Sequence, residues 1–248
     1  MSLVLRNPHS VLAVLKTRPS DLIQLSIPSQ TSNDAWEKVA QMARSRGLNV
    51  VQSSQRSVKG AKGPSSAESQ RFGLAEAVIK ERAPLALEEL FASSRQGDQN
   101  RNGLWLALDS LQDPHNLGAI FRSAAFFGVK GILLTQERSA PLTAAAYDVA
   151  SGGMEYVPFS VQVNLQRSFE VAKKAGLWVL GSSEHAHDDL AAIPKDRQWL
   201  LVLGNEEKGL RRLTQENCDL LCKIPSQGEV GSLNVSVAAG IMIARLSE

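Results

Sequence analysis

The chain has 248 residues, 43% of them apolar and 21% charged, with a formal net charge of +2. This is the composition of a soluble globular protein, long enough for one large domain or, more comfortably, two ordinary ones. No apolar run approaches the roughly 20 residues a membrane span requires, and residues 1–10 lack the apolar stretch of a secretory leader, so a cytoplasmic protein is expected.

The small net charge hides an asymmetry. Residues 1–80 carry 11 Lys and Arg against 5 Asp and Glu, whereas residues 81–248 carry 16 against 20. A module that grips a polyanion, attached to a near-neutral body, has this distribution, and so does a merely solvated basic face. Trp36 and Phe72 are the aromatics of the basic part, so base stacking is not expected to dominate its contacts.

In chain order, residues 8–16 read as a short helix and 22–27 as a strand. Asn33 or Asp34 can cap a helix running to about Arg46, with Gly47 as its stop. A strand at 48–51, a Ser/Gly/Lys-rich basic loop over 53–69 and a closing strand at 72–79 complete a small mixed unit over 1–80. Residues 81–103 read as a linker with a short helix at 85–91.

From Leu104 onward, strands and helices alternate. Short, nearly continuous apolar runs at 104–108, 131–134, 177–180, 199–203 and 220–224 suit parallel strands buried on both faces. Helical patterns lie at 117–127, 142–150, 164–175 and from 234 to the end. This is an α/β domain with a parallel sheet. Cys218 and Cys222 have no third cysteine or nearby histidine, which makes them ordinary buried thiols. Glu184-His185-Ala186-His187-Asp188-Asp189 looks metal-like, but two histidines without a distant third ligand read as surface residues, and no metal is expected.

Ligands of such sheets gather at the carboxyl ends of strands, and three segments stand out there. Asp109-Ser110-Leu111-Gln112-Asp113-Pro114-His115-Asn116 leaves a strand and opens a helix, capped by Asn116 or Asp113, that carries Arg122. Leu203-Gly204-Asn205-Glu206-Glu207-Lys208-Gly209 brackets polar residues with glycines that let a backbone approach a ligand. Ile224-Pro225-Ser226-Gln227-Gly228-Glu229-Val230-Gly231-Ser232-Leu233-Asn234 ends a strand at a proline and opens an apolar helix. Each segment taken alone is equally readable as a helix cap or a loop.

In this order and at these strand ends, the three segments resemble the signature motifs of the SpoU (TrmH-like) RNA ribose methyltransferases of the SPOUT superfamily. The likeness covers 104–248 and is nearest to the bacterial enzymes that methylate a guanosine of large-subunit ribosomal RNA. Arg138-Ser139-Ala140-Pro141-Leu142 and Gly209-Leu210-Arg211-Arg212-Leu213-Thr214 also look like that subgroup, and residues 1–80 look, more weakly, like its ribosomal-protein-like RNA-binding domain. Ser226 departs from the methionine common there.

The resemblance implies a C-terminal α/β knot, a trefoil that topology rules would not have suggested. It also implies S-adenosylmethionine as cofactor, bound by Leu203, Gly204, Ile224 and Leu233, and RNA, most naturally ribosomal, as substrate. It implies a homodimer with the site at the subunit interface. Arg122 is then the central catalytic residue, as proton acceptor or relay for the 2′-hydroxyl. Because guanidinium rarely deprotonates, a clamp on phosphate and developing alkoxide is the physically safer role. Asn116 and Asn234 would orient Arg122 or the ribose, Ser232 would position substrate or cofactor carboxylate, and Glu206 would fix the loop or Arg122. A transfer-RNA ribose methyltransferase and a non-catalytic RNA-binding relative remain as alternatives. A dinucleotide oxidoreductase lacks its glycine fingerprint here.

Overall fold

The computed structural model describes residues 1–28, 33–53, 75–94, 103–137 and 139–247. Strands β1 (Ser2–Leu5), β2 (Leu22–Pro28), β3 (Val50–Ser53) and β4 (Glu76–Lys80) form a four-stranded sheet in the order β1-β4-β2-β3. Helices α1 (Pro8–Thr17) and α2 (Asp34–Ser45) pack on it, burying Val11, Val14, Leu15, Trp36, Val39 and Ala43 against Leu5, Leu25, Ile27 and Ile79. Asn33, not Asp34, is the N-cap of α2, accepting from the Ala35 N–H at 2.9 Å. Most of the expected basic loop and the start of the strand expected at 72–79 lie outside the described residues.

Seven further strands form the main sheet: β5 (Leu104–Leu108), β6 (Gly131–Thr135), β7 (Phe159–Gln162), β8 (Trp178–Ser182), β9 (Asp188–Asp189), β10 (Trp199–Leu203) and β11 (Leu220–Lys223). Their order is β7-β6-β5-β10-β8-β11-β9, and every pairing is parallel. The apolar runs are explained by the two faces. Leu104, Leu106, Leu108, Leu201 and Leu203 enter one core, while Trp105, Ala107, Leu200 and Val202 enter another. Helices α3 (Leu87–Leu90) and α7 (Leu165–Lys174) cover the second face. On the first lie α4 (Pro114–Phe126), α5 (Ala144–Ala150), α6 (Gly153–Tyr156) and α9 (Val235–Ser247), with α8 (Arg212–Glu216) following β10.

The first core is continuous with that of the N-terminal sheet. α1 and β1 pack on α5 and α6, with Asn7 N–H donating to Asp148 Oδ1 at 2.9 Å and Ser10 Oγ to the Tyr147 carbonyl at 2.7 Å. An ion pair crosses the same junction: Arg18 Nε lies 2.7 Å from Glu155 Oε2, whose side chain is 1% exposed. Residues 81–94, expected as a linker, lie against the sheet. Leu85 N–H donates to the Phe159 carbonyl at 2.8 Å, Trp105 Nε1 to that of Leu90 at 3.0 Å, and Arg82 sits over the Phe159 ring at 5.6 Å. Among the described residues no helix is long and apolar enough to cross a membrane.

Candidate active site

β5 and β10 are adjacent and parallel, so the segments leaving their carboxyl ends lie side by side. β11 lies on the far side of β8, yet α9 packs on α4, so the third segment carries the chain back past β8 and β10 to the helix after β5. This return brings all three motifs to one place.

Asp113 is the N-cap of α4, accepting from the His115 N–H at 2.8 Å, which leaves the Asn116 side chain free to reach outward from the helix. Its position depends on Gly118, where a Cβ would come within 2.5 Å of the Ala146 carbonyl oxygen and 2.8 Å of Val149 Cβ. Only glycine lets α4 approach α5 so closely. Ser110, just upstream, has φ 62°, a left-handed conformation unfavourable for a residue with a Cβ. It is held by its N–H to Thr135 Oγ1 at 3.0 Å and by Asn205 Nδ2, which donates to its carbonyl at 3.0 Å. Thr135 and Ser139 share a further hydroxyl hydrogen bond.

The second segment folds back on itself. Asn205 and Gly209 exchange backbone hydrogen bonds at 3.0 Å, and Asn205 Oδ1 accepts from the N–H groups of Glu207 at 3.1 Å and Lys208 at 3.2 Å. A Cβ on Gly204 would lie 2.2 Å from the Gly209 carbonyl carbon, so the tight return requires glycine. Glu206 is thereby aimed at α4. Its Oε1 accepts from Asn116 Nδ2 at 3.2 Å and from the Asp113 N–H at 3.4 Å, and its Oε2 accepts from Asn205 Nδ2 at 3.2 Å.

From the third segment, Asn234 Nδ2 donates to Asn116 Oδ1 at 3.1 Å. Asn234 Oδ1 accepts from the Ser236 N–H at 2.9 Å and hydroxyl at 2.6 Å, capping α9. A hydrogen-bonded chain thus runs from Ser236 through Asn234 and Asn116 to Glu206, linking the three strand ends.

Of the nine residues singled out from the sequence, Asn116, Glu206 and Asn234 meet directly. Glu206 is held by two asparagine amides and a backbone N–H, and within the chain it does not touch Arg122. Arg122 is exposed on α4, six positions after Asn116, and makes no hydrogen bond or ion pair among the described residues. Ser232 and Leu233 are exposed beside Asn234, Leu233 at 49%. The backbone groups of residues 231–233 make no hydrogen bond among the described residues. Leu203 and Gly204 are buried, and Ile224 is half-buried against the first core. Asp109, Asn205, Arg211 and Thr214 also organise the site; they stand in segments marked by the sequence, which assigns none of them a role of its own. Asn205, next to a glycine after a strand, carried the signal of a side chain that caps its own turn.

Elsewhere, Cys222 is buried and Cys218 half-buried, both as free thiols. His185 and His187 are exposed, with His185 Nε2 3.5 Å from Glu184 Oε1. Arg138 lies outside the described residues.

Comparison with known proteins gives the family and the fold. The family model described as the SpoU rRNA Methylase family matches residues 103–244. The 23S rRNA (guanosine-2′-O-)-methyltransferase RlmB of Nitrosomonas europaea is 33% identical over 95% of this chain and 87% of its own length. Among solved structures, the SpoU methyltransferase AviRb from Streptomyces viridochromogenes superposes with a TM-score of 0.76 at 16% identity, over 99% of this chain and 88% of that one. The AdoMet-bound rRNA methyltransferase from Sinorhizobium meliloti does so with a TM-score of 0.74 at 23% identity, over 99% and 86%. The structural likenesses, both under 25% identity, give the fold alone, an α/β knot. With the family model covering more than half of the chain and a relative matched along nearly all of it, the protein belongs to the SpoU rRNA methylase family.

Proposed function

We propose that the protein transfers a methyl group from S-adenosylmethionine to a ribose 2′-hydroxyl of RNA, at a guanosine of large-subunit ribosomal RNA. The observation that carries this reading is the Asn234–Asn116–Glu206 chain, which joins three strand ends at the start of the helix that carries the exposed Arg122 six positions further on. A 33%-identical relative named for that reaction supports the choice of base and RNA. In this reading residues 1–80 form a substrate-binding unit, 81–103 a connector and 104–248 the catalytic unit.

The residues present suit the cofactor. The backbone amides and carbonyls of residues 231–233, which make no hydrogen bond among the described residues, lie beside the exposed Leu233 side chain, and Leu203 and Ile224 belong to the first core. Adenine has apolar faces and a hydrogen-bonding edge, so apolar side chains with free backbone groups are the donor set it needs. When bound, the cofactor supplies an electrophilic methyl group. The chain's own residues align the acceptor oxygen, and orientation of this kind contributes about 7–11 kcal/mol in favourable cases. Arg122, without an ion-pair partner among the described residues, clamps the neighbouring phosphate through its planar fork and stabilises charge growing on the 2′-oxygen. Asn116 and Asn234, fixed by Glu206 and by the α9 cap, present amides to the ribose. Ser232 offers a hydroxyl to substrate or to the cofactor carboxylate.

The site is composite across a homodimer. Phe126 on α4 is 82% exposed, and on the adjoining α9 Val237 is 50% and Ile241 41% exposed. An apolar patch on a packed helix pair is the surface an obligate partner covers. Arg122 lies one turn before Phe126, which directs it toward that partner.

The test is to map 2′-O-methylation in total RNA with and without the gene. Loss of one 2′-O-methylguanosine from the large-subunit RNA is expected, and an unchanged map contradicts the reading.

A further inference from the structure

Asp109 is fully buried at the carboxyl end of β5, and the reaction above gives it no part. Its Oδ1 lies 2.8 Å from Arg211 Nη2 and accepts from the Ser110 hydroxyl at 3.1 Å. Its Oδ2 accepts from Arg211 Nε at 3.1 Å and from the Thr214 hydroxyl at 2.6 Å. A buried carboxylate is costly to desolvate, and a well-packed apolar residue would serve stability at least as well. A carboxylate with four donors here points to a task other than stability.

The task is legible in what those donors hold. The Asp109 N–H donates to the Leu203 carbonyl at 2.8 Å, at the entry to loop 204–210. Its carboxylate binds Arg211 at the exit of the same loop. Between these points Asn205 ties the loop to the Ser110 carbonyl, and Glu206 reaches Asn116. Arg211 is half-exposed, so its charge does not itself require this partner.

We infer that Asp109 is a positioning residue: it clamps both ends of loop 204–210 onto the turn after β5, and so sets Glu206 against Asn116 and fixes the loop backbone beside the cofactor. The geometry of the clamp stands by itself, whereas its consequence for cofactor affinity rests on the methyl-transfer reading.

Two readouts on the full-length protein test it. The first is amide hydrogen exchange at Glu207, Lys208 and Gly209 in the free protein. Asp109→Asn is expected to speed exchange there at least tenfold and leave the β6 amides unchanged. The second is titration with S-adenosylmethionine. Asp109→Asn and Glu206→Gln are each expected to weaken binding about tenfold. Because the first acts through the second, the double variant is expected to be within twofold of the weaker single variant. Glu207→Gln, whose side chain is solvated, is expected to bind as the unaltered protein does.

Thr214→Val, which removes one donor and keeps the shape, is expected to move both readouts in the same direction by a smaller factor, and it serves if Asp109→Asn does not fold. Additive losses in the double variant, or unchanged exchange in the loop, overturn the inference. An unaltered protein that binds no S-adenosylmethionine overturns the methyl-transfer reading instead, and the exchange experiment still decides the clamp.

Discussion

Asn234 Nδ2 donates to Asn116 Oδ1 at 3.1 Å, joining residues 118 positions apart at the N-termini of α9 and α4. Asn234 therefore has two jobs, since its Oδ1 caps α9 while its amide nitrogen orients Asn116.

Substitution separates the two. Asn234→Ala loses both, and removal of a cap typically costs about 1 kcal/mol. Asn234→Asp keeps the cap acceptor but replaces the donor with an oxygen facing Asn116 Oδ1. Thermal melting is expected to show Asn234→Asp closer to the unaltered protein than Asn234→Ala is, while methyl transfer falls at least tenfold in both. Restored activity in Asn234→Asp would show that only the cap matters.

The α4–α9 patch gives a second prediction. A carboxylate in place of Phe126, Phe126→Asp, is expected to cost little in the isolated chain because the side chain is already 82% exposed. In an apolar interface it is unpaired and desolvated. Sedimentation is expected to show a folded monomer, with transfer activity lost along with the dimer.

Arg18 and Glu155 supply the third. Burial by itself lowers the Arg18 pKa, but the hydrogen bond and charge of Glu155 outweigh it and raise the pKa above the ordinary value. Arg18→Ala leaves Glu155 buried without its cation, which typically costs about 3–5 kcal/mol. Denaturant titration is expected to show a correspondingly lower midpoint, with a smaller shift for Glu155→Gln, where Arg18 keeps its pair with Asp21 at 3.1 Å.

The thiols give the fourth. Burial pushes both Cys218 and Cys222 up to about 12 from an ordinary 9.0. Both are neutral thiols at pH 8, so a thiolate-seeking reagent is expected to label them only after denaturation. Above pH 9 the unfolded chain releases these protons and the folded chain retains them. Stability is therefore full below that pH and falls as pH rises through the window from 9 to 12. Equilibrium unfolding between pH 8 and 10 checks the sign, and replacing both cysteines with alanine is expected to flatten the slope.

The sequence made the main sheet legible through β5 and β10, whose apolar runs are buried on both faces. β1 and β7 were not legible, because their four residues carry too little alternation to stand apart from loops, whereas β3, as short and also at an edge, was expected at 48–51 and lies at Val50–Ser53. The helix expected from 142 begins at Ala144, since Thr143 is its cap. At the site, residue types at strand ends and the family likeness marked Asn116, Glu206 and Asn234. Their partners were hidden because they depend on how closely α4, loop 204–210 and α9 approach. Asp109 heads the first segment, but its role is not legible there, because the Arg211 and Thr214 donors to its carboxylate lie 102 and 105 positions away. The segment 81–94 reads as a linker with a short helix in sequence, yet the Leu85 N–H finds the Phe159 carbonyl and the Leu90 carbonyl finds the Trp105 indole, partners that only tertiary structure supplies.

The central claim is that Arg122, which has no ion-pair partner among the described residues, serves transfer to a ribose oxygen held by the Asn116–Asn234 pair. The most direct measurement is incorporation of labelled methyl from S-adenosylmethionine into a large-subunit ribosomal RNA fragment by the unaltered protein and by Arg122→Ala. We expect label in one 2′-O-methylguanosine with the unaltered protein, a loss of at least a thousandfold with Arg122→Ala, and little recovery with Arg122→Lys. Near-normal transfer by Arg122→Ala would contradict the account.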